Sequence, residues 1–386
     1  MAFPVLKYAD ILPGTPGSVE NEFLSCVEQI TGHCGSDFKL IKLTVFLSSG
    51  SERAFASEKQ LIGELVYNNY SECPAFSVVS QYPISPFKIG VEAVFISTGD
   101  KPTFKNYNHI PYVVTGTSDY KMVWGAGLAA DNLLSVEEGA EVASRSMQNI
   151  LAAEDLTFND IIRQWNYIPQ ICYVERKEEL LIQHYQSFNE VRHKYYQKFR
   201  SKNCFPAATG IGQSFGNFTL DFIAFQCKQN SSDLKVESPL QHNPYNYGQK
   251  VLVGETGQKK HAPEFERARV LLLSGEYWIF VSGTASIEGE VTTEIDSVER
   301  QTLSTIRNIE SLVSPENLKS QYPSINYENA NYTNLRAYVK FREDISVVEQ
   351  IVKQKFRNVP LSIVQAEICR CDLLVEIEAE LFGTLA

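Results

Sequence analysis

The sequence lacks a surplus of positive charge: 35 Lys and Arg stand against 46 Asp and Glu, a formal net charge of −11. Binding along a phosphate backbone needs at least one face where cations prevail, so this balance argues against nucleic acid as a partner. A small anion is not excluded, because a few convergent arginines hold one inside a pocket however acidic the exterior is. Long apolar runs are also missing, and no segment approaches the length that crosses a bilayer. Met1 to Gly14 shows no basic stretch followed by an apolar one, so no membrane association and a cytoplasmic location are expected. Cysteines number eight, scattered through a chain large enough to need no staples, which points to reduced thiols. Cys369 and Cys371 form a close pair, but no second pair and no His at ligand spacing accompany them, so no metal site is expected.

What the chain does have is apolar material. At 386 residues, with 44% hydrophobic and 11% aromatic residues, it suffices for two packed cores, and length alone favours two domains. Between Ser135 and Asp155, the residues Val136, Ala140, Ala143, Met147, Ile150 and Leu151 fall at helical spacing behind a serine and two glutamates suited to a helix start. A second amphipathic helix begins near Asp296, with Val298, Leu303, Ile306, Ile309 and Leu312 on its apolar side. A strand-like stretch ending in a glycine-containing turn precedes each helix, Tyr120 to Gly127 and Val270 to Gly283. Another strand follows each, Ile161 to Tyr167 and Asn334 to Lys340. Strand, turn, long helix and strand thus occur twice, as in a diverged internal duplication. The join is placed near Ser201 to Phe205, after the charged, helical-looking run from Glu175 to Arg200, giving domains at 1–200 and 201–386. Residues 230–260, rich in Ser, Pro, Asn, Tyr and Gly, read as a long excursion over the surface or across a pocket mouth.

The second half carries Ser282-Gly-Thr-Ala-Ser-Ile-Glu-Gly289, then the helix, then Leu335-Arg-Ala-Tyr-Val339, and finally Asp372-Leu-Leu-Val-Glu-Ile-Glu-Ala379. That order resembles the RidA/YjgF fold, an α+β, chorismate-mutase-like arrangement in which a mixed sheet is backed by helices. Further stretches narrow the resemblance: Gln164-Trp-Asn-Tyr-Ile-Pro169, Tyr185-x-x-Phe188-Asn189-x-x-Arg192-His193, Phe205-Pro-Ala-Ala-Thr-Gly-Ile-Gly212 and Cys369-Arg-Cys-Asp-Leu-Leu-Val-Glu376. Together they are similar to the chorismatase family, in which two RidA-like halves are fused, and the N-terminal half is read as a degenerate copy. Residues 1–110 match less clearly. The resemblance implies a cofactor-free enzyme that releases pyruvate from chorismate. Some family members hydrolyse chorismate to a dihydroxycyclohexadiene carboxylate and others form 3-hydroxybenzoate. The second group is similar to this chain in pairing a glycine at Gly283 with a cysteine at Cys369. One stretch departs from the pattern: Leu240 stands in Ser238-Pro-Leu-Gln-His242 where a basic residue is expected.

Chorismate carries an enol ether whose methylene carbon must take a proton before the C–O bond weakens, which calls for a carboxylic acid still protonated near neutral pH. Desolvation in a closed, partly apolar pocket raises a glutamate into that range. By its place in the family's motif, Glu376 is the expected acid. In a strand of period two it shares a face with Glu378, so either Glu378 lies nearer solvent or the two carboxyls interact and raise one pKa. An exposed strand whose glutamates simply face water is the competing reading. Cys369, seven residues earlier, lines the same pocket only if the chain bends near Cys371 and Asp372, and it is read either as a catalytic-site residue that shapes water access beside Glu376 or as a small apolar filler. For substrate binding the candidates are Arg267 and Arg370 as carboxylate forks, Gly283 and Thr284 as a turn offering backbone N–H groups, and Gln241 with Tyr245 closing over the substrate from the loop. Arg370 has an alternative as a structural partner of Asp372, and Arg192 and Arg336 rank lower. Trp165, Asn166 and Tyr167 are assigned to domain packing. Two other functions stay open on the same fold: a RidA-like imine deaminase and a non-catalytic small-ligand-binding protein, the latter favoured by Leu240. A monomer or a homotrimer is expected for the assembly.

Overall fold

The computed structural model describes residues 2–177, 180–201, 204–227, 231–252, 260–328 and 330–385. Its first segment runs β1 (Leu6–Ile11), α1 (Val19–Cys34), β2 (Phe38–Leu47), α2 (Glu52–Asn69), β3 (Ala75–Val79), β4 (Tyr82–Pro83) and β5 (Ile89–Ser97). Ser18 and Ser51 cap the two helices by accepting from Asn21 N and Ala54 N. The second segment holds β6 (Thr103–Tyr107), β7 (Ile110–Gly116), β8 (Tyr120–Leu128), α3 (Val136–Ala153), β9 (Ile161–Pro169), β10 (Val174–Lys177), β11 (Leu180–Gln183), α4 (His184–Phe199), β12 (Ala207–Gln213) and β13 (Thr219–Cys227). The expected helix after Ser135 is α3, opened by a capping box between Ser135 and Glu138. The third segment holds β14 (Ser231–Val236), β15 (Ala268–Leu273), β16 (Glu276–Ala285), β17 (Ile287–Glu288), β18 (Val291–Thr292), α5 (Val298–Val313), α6 (Pro315–Gln321), β19 (Asn331–Val339), α7 (Ile345–Lys355), β20 (Leu361–Gln365) and β21 (Val375–Thr384).

Mixed sheets backed by helices, the α+β class expected, build all of this. One arrangement recurs in each of the three larger sheets: β1-β5-β2-β3, β8-β13-β9-β12 and β16-β21-β19-β20 share the same order. In every case the first three strands pair antiparallel and the last pair is parallel. The duplicated pattern read from the sequence is therefore present three times, the additional copy lying in residues 6–97, where no elements were assigned. The expected join near 201–205 is not a break between sheets. Residues 202–203 lie outside the described residues, and β12 and β13 beyond them complete the sheet begun by β8 and β9. Two further boundaries differ from expectation. The strand read from Val270 to Gly283 is a hairpin, β15 and β16, turned by Ser274 and Gly275, both at positive φ, the conformation a tight two-residue turn requires. The run from Glu175 to Arg200 opens as the β10–β11 hairpin before it becomes α4. Among the described residues, no helix is long and apolar enough to cross a membrane.

Each sheet packs one face on its own helices and turns the other toward a common core in which Phe46, Trp124, Trp165, Trp278 and Tyr338 meet. Ion pairs close this shared core in a cycle. In each repeat the middle strand supplies a base and the last strand an acid, and every acid is paired with the base of another repeat. Asp221 of β13 meets Lys42 of β2 at 3.1 Å, Glu378 of β21 meets Arg163 of β9 at 2.8 Å, and Glu92 of β5 meets Arg336 of β19. All six side chains are buried. Burial would push the Glu92 carboxyl up, but Arg336 outweighs it and holds that carboxyl below its usual range.

An ion pair this deep stabilises mainly by not being broken. Lys42→Met strands the Asp221 carboxylate, and we expect it to lower unfolding stability by about 3–5 kcal/mol in urea titration. Pairing it with Asp221→Leu should recover most of that loss. Equal stability of the Lys42→Met protein and the parent would remove the cycle from any structural role.

Candidate active site

Between the second and third repeats lies a cleft. One wall comes from β12 and α4, the other from β16 and the turn before β21, and residues 247–252 and 263–267 lie across it. Residues 253–259 of the expected loop lie outside the described residues. Glu376 is the second residue of β21 and faces the cleft, yet it is only 4% exposed. Its carboxyl has no hydrogen-bond partner among the described residues. Burial is the largest reason that its pKa is pushed up to about 8, and the charge of Glu378 adds to it, with Arg163 and Arg267 opposing.

Of the two arrangements foreseen for the paired glutamates, the buried one is found. Glu378 accepts from Arg163 Nη2 at 2.8 Å and from Trp165 Nε1 at 2.7 Å, and Thr209 Oγ1 donates to it as well. Glu378 is thus wrapped in donors while Glu376, two residues away on the same face, has none. Trp165 packs between repeats as expected and also holds this carboxylate.

Gly283 is not in a turn. It sits within β16, at the point where the β16–β21 register slips between Val281 and Thr284. A Cβ at this position would stand 2.0 Å from Glu376 Oε1, so the bare backbone makes the room in which the carboxyl lies. The N–H of Gly283 is already donated to Thr209 Oγ1 at 3.1 Å and is not offered to a ligand. Thr284 is fully buried, its hydroxyl donating to Ser282 O, and it does not line the cleft.

Arg267 and Arg370 do reach the cleft, 5.8 and 5.1 Å from the Tyr247 ring. Arg267 donates through Nε and Nη2 to His242 O and through Nη2 to the Tyr247 hydroxyl, and Arg370 donates to Glu290 O at 2.8 Å. Neither has an acidic partner among the described residues, so the proposed Arg370–Asp372 bridge is absent from them and two guanidinium charges stand ready for an anion.

Gln241 is placed elsewhere: it is buried, donating to the carbonyls of Ala285 and Ile287, and so braces the cleft wall from behind. Tyr245 packs at a tilt against Phe205 outside the cleft, and Tyr247 takes the place foreseen for it. Leu240 is exposed with its carbonyl accepting from Gly289 N, so its departure from the expected pattern does not touch the cleft.

Cys369 lines the cleft because residues 369–372 form the bend and turn that an odd separation from Glu376 requires, with Leu373 N donating to Arg370 O. Burial, and then the nearness of Glu376, push its thiol up to about 12, which leaves it an uncharged filler rather than a nucleophile.

Sequence reasoning passed over Tyr185 and Asn189 as site residues, though both line the cleft from α4. Their four-residue spacing, in a stretch already singled out, was the available signal, since i and i+4 share one helix face.

The profile described as Chorismatase FkbO/Hyg5-like, N-terminal, matches residues 106–224. A 3-hydroxybenzoate synthase of Streptomyces hygroscopicus is 30% identical over 233 residues, 58% of this chain and 64% of that protein. A chorismatase of Streptomyces rapamycinicus is 34% identical over 176 residues, 45% of this chain and 50% of its own length. The chain therefore spans less than two thirds of the length of these curated relatives. A chorismatase crystal structure superposes with a TM-score of 0.70 at 18% identity, covering 99% of both chains, which shows that the fold is shared.

A buried acid with a raised pKa makes stability depend on pH in a known direction. The folded chain keeps the Glu376 proton up to about pH 8, whereas the unfolded chain gives it up near the ordinary value of 4.5. The stability that comes with this proton is complete below that ordinary value and is lost as pH rises through about 8. Glu376→Gln, which never ionises, should therefore gain on the parent by roughly 2–5 kcal/mol between mildly acid and mildly alkaline pH and then level off. A stability difference that does not change with pH would show that Glu376 titrates normally.

Proposed function

We propose that the chain is a member of the chorismatase family and releases pyruvate from chorismate by proton transfer from the Glu376 carboxyl, forming 3-hydroxybenzoate. The observation that carries this reading is the carboxyl itself: neutral until about pH 8, buried, and facing a cleft that also presents two guanidinium groups without acidic partners. An acid poised near the working pH combines the right protonation state with a useful driving force. An ordinary glutamate has already lost its proton there.

In the proposed reaction, Arg267 and Arg370 hold a carboxylate of the substrate and orient the enolpyruvyl group toward Glu376. The Glu376 O–H bond breaks as a new C–H bond forms at the methylene carbon, leaving an oxocarbenium ion and the Glu376 carboxylate. Both charges are tolerable at that moment because the anion formed at Glu376 lies within reach of Arg163 and Arg267. The ring hydroxyl oxygen of the substrate then attacks the adjacent ring carbon as the bond from that carbon to the pyruvyl oxygen breaks and pyruvate leaves as the keto acid. The hydroxyl's original ring C–O bond then opens, and loss of the proton from the carbon that now bears the hydroxyl gives the aromatic product. Glu376 is the base within reach to recover that proton. Cys369, uncharged and beside the acid, fills space that water would otherwise occupy, and the Streptomyces hygroscopicus relative named for 3-hydroxybenzoate formation supports the aromatic product over the hydrolytic one.

Incubation with chorismate should yield pyruvate and 3-hydroxybenzoate in equal amounts, read by coupled reduction of pyruvate and chromatography of the acid. A dihydroxycyclohexadiene carboxylate would replace the intramolecular route by attack of water. Glu376→Gln should keep the fold and the affinity for chorismate while losing about 10²–10⁴-fold in rate. In the parent enzyme the rate should fall as pH rises through about 8, as the acid loses its proton. Undiminished pyruvate release by the glutamine variant would end the acid role. Turnover of 2-aminoacrylate without turnover of chorismate would favour the imine deaminase.

A further inference from the structure

We propose that Asn189 recognises the substrate directly, its side-chain N–H donating to an anionic oxygen, and that Arg192 is the positioning residue that turns the amide toward the cleft. The inference rests on the reading of the cleft as the site of a dicarboxylate.

The orientation of the Asn189 amide follows from chemistry. Asn189 is 1% exposed, and its Oδ1 lies 2.7 Å from Nη2 of Arg192. A guanidinium has five donors and no acceptor, so the atom facing it must be the amide oxygen, and the nitrogen is forced to the other side. That nitrogen has no partner among the described residues. Native proteins keep few buried N–H groups unpaired. Because Asn189 lines the cleft, the acceptor it lacks is one that a bound molecule supplies.

The charge around the amide defines the acceptor. Arg192 is buried, lies 4.8 Å over the Phe188 ring and 5.9 Å from Phe265, and has no ion-pair partner among the described residues. Glu264, on the neighbouring segment, pairs with His193 through one oxygen at 2.7 Å and leaves the other without a partner among the described residues, and Glu190 of the same helix pairs with His261. Neither carboxylate is bonded to Arg192, and a buried cation without an ion pair favours negative charge nearby, so an anionic oxygen, not a neutral one, fits beside Asn189. Arg192 also bonds to Tyr185, a cleft residue close to Cys369 and Glu376. Glu376 in turn feels Arg267. Arg267 with Arg370 forms one anion-binding pole of the cleft and Asn189 backed by Arg192 another, with Arg192 and Arg267 each 5.9 Å from the Phe265 ring. A dicarboxylate that engages both is held in the cleft that Glu376 faces.

The experiment compares Asn189→Asp with the parent protein in steady-state turnover and in calorimetric titration with chorismate. The aspartate keeps an oxygen for Arg192 but puts an acceptor where the donor was. We expect KM and the dissociation constant to rise about tenfold or more while the pH midpoint of kcat stays near 8. Asn189→Ala carries the same expectation should the aspartate variant fail to fold. Arg192→Met should reproduce the KM defect, and Arg192→Lys, which keeps a donor and the charge, should recover part of it. An Asn189→Asp or Asn189→Ala protein that binds and turns over chorismate within twofold of the parent overturns the proposal, as does a loss of kcat with KM unchanged. A parent protein that binds chorismate in an Asn189-dependent way yet releases no pyruvate supports the binding pole and sinks the proposed reaction. Absence of any chorismate binding by the parent overturns both.

Discussion

Three carboxylates stand in a row on one buried face of β21, at Glu376, Glu378 and Glu380, and there is not enough positive charge in reach for all of them to ionise. The conflict is resolved by unequal distribution of donors. Glu378 receives Arg163, Thr209 and Trp165, and Glu380 receives the hydroxyl of Tyr8 at 2.6 Å. Burial and the neighbouring acids still push Glu380 up to about 7. Glu376 receives no hydrogen bond from the described residues and is pushed up furthest, to about 8. The neutral acid is made first by burial and then by its neighbour. By fixing a negative charge at Glu378, the Arg163 ion pair makes a second charge on the same face costly.

That ion pair is also one link of the cycle that joins the repeats, which ties the chemistry of the cleft to the architecture. Arg163 and Thr209 belong to the second repeat and Glu378 and Gly283 to the third. The same four residues bind the two walls together and shape the space around the acid. The three repeats differ just before the paired acid. Glu92, Asp221 and Glu378 occupy corresponding places on the last strand of each repeat, each paired with a base of another. Two residues before them stand Gly90, Thr219 and Glu376. The repeats keep the structural acid throughout and the additional one only at Glu376.

Periodicity made part of this legible. The helices at Ser135 and Asp296 and the strands around them were evident because amphipathic spacing is a local property. The third copy, in residues 6–97, was not. Its strands β2 and β5 are buried along nearly their whole length, so they show no alternation, and their pairing with each other is long-range. Glu376 and Cys369, found through a motif, and Arg267 and Arg370, chosen by charge and position, lie together in the cleft. Gln241, Tyr245 and Thr284 share the same stretches of sequence but point elsewhere, because neighbours in sequence alternate faces on a strand and scatter in a loop. Whether Glu378 faced water or a second charge was a question about what packs on β21. The answer comes from Arg163 and Trp165, more than 200 residues away.

A tension remains between the two tasks asked of the cleft. Arginines that attract the carboxylates of a substrate also pull the pKa of Glu376 down, and Arg267 does so here. If the cations were placed closer, they would bind the anion better and discharge the acid. The arrangement separates the tasks in time. Arg267 is held on His242 O and the Tyr247 hydroxyl, so its position does not depend on Glu376. Once a substrate carboxylate neutralises that guanidinium, its lowering effect on Glu376 weakens, and displacement of water from the cleft adds to the desolvation that already dominates. In the proposed reaction, binding of the anion therefore strengthens the hold of Glu376 on its proton until the vinyl carbon takes it. After transfer, the carboxylate that forms has Arg163 and Arg267 in electrostatic reach, where an isolated buried charge would have had nothing.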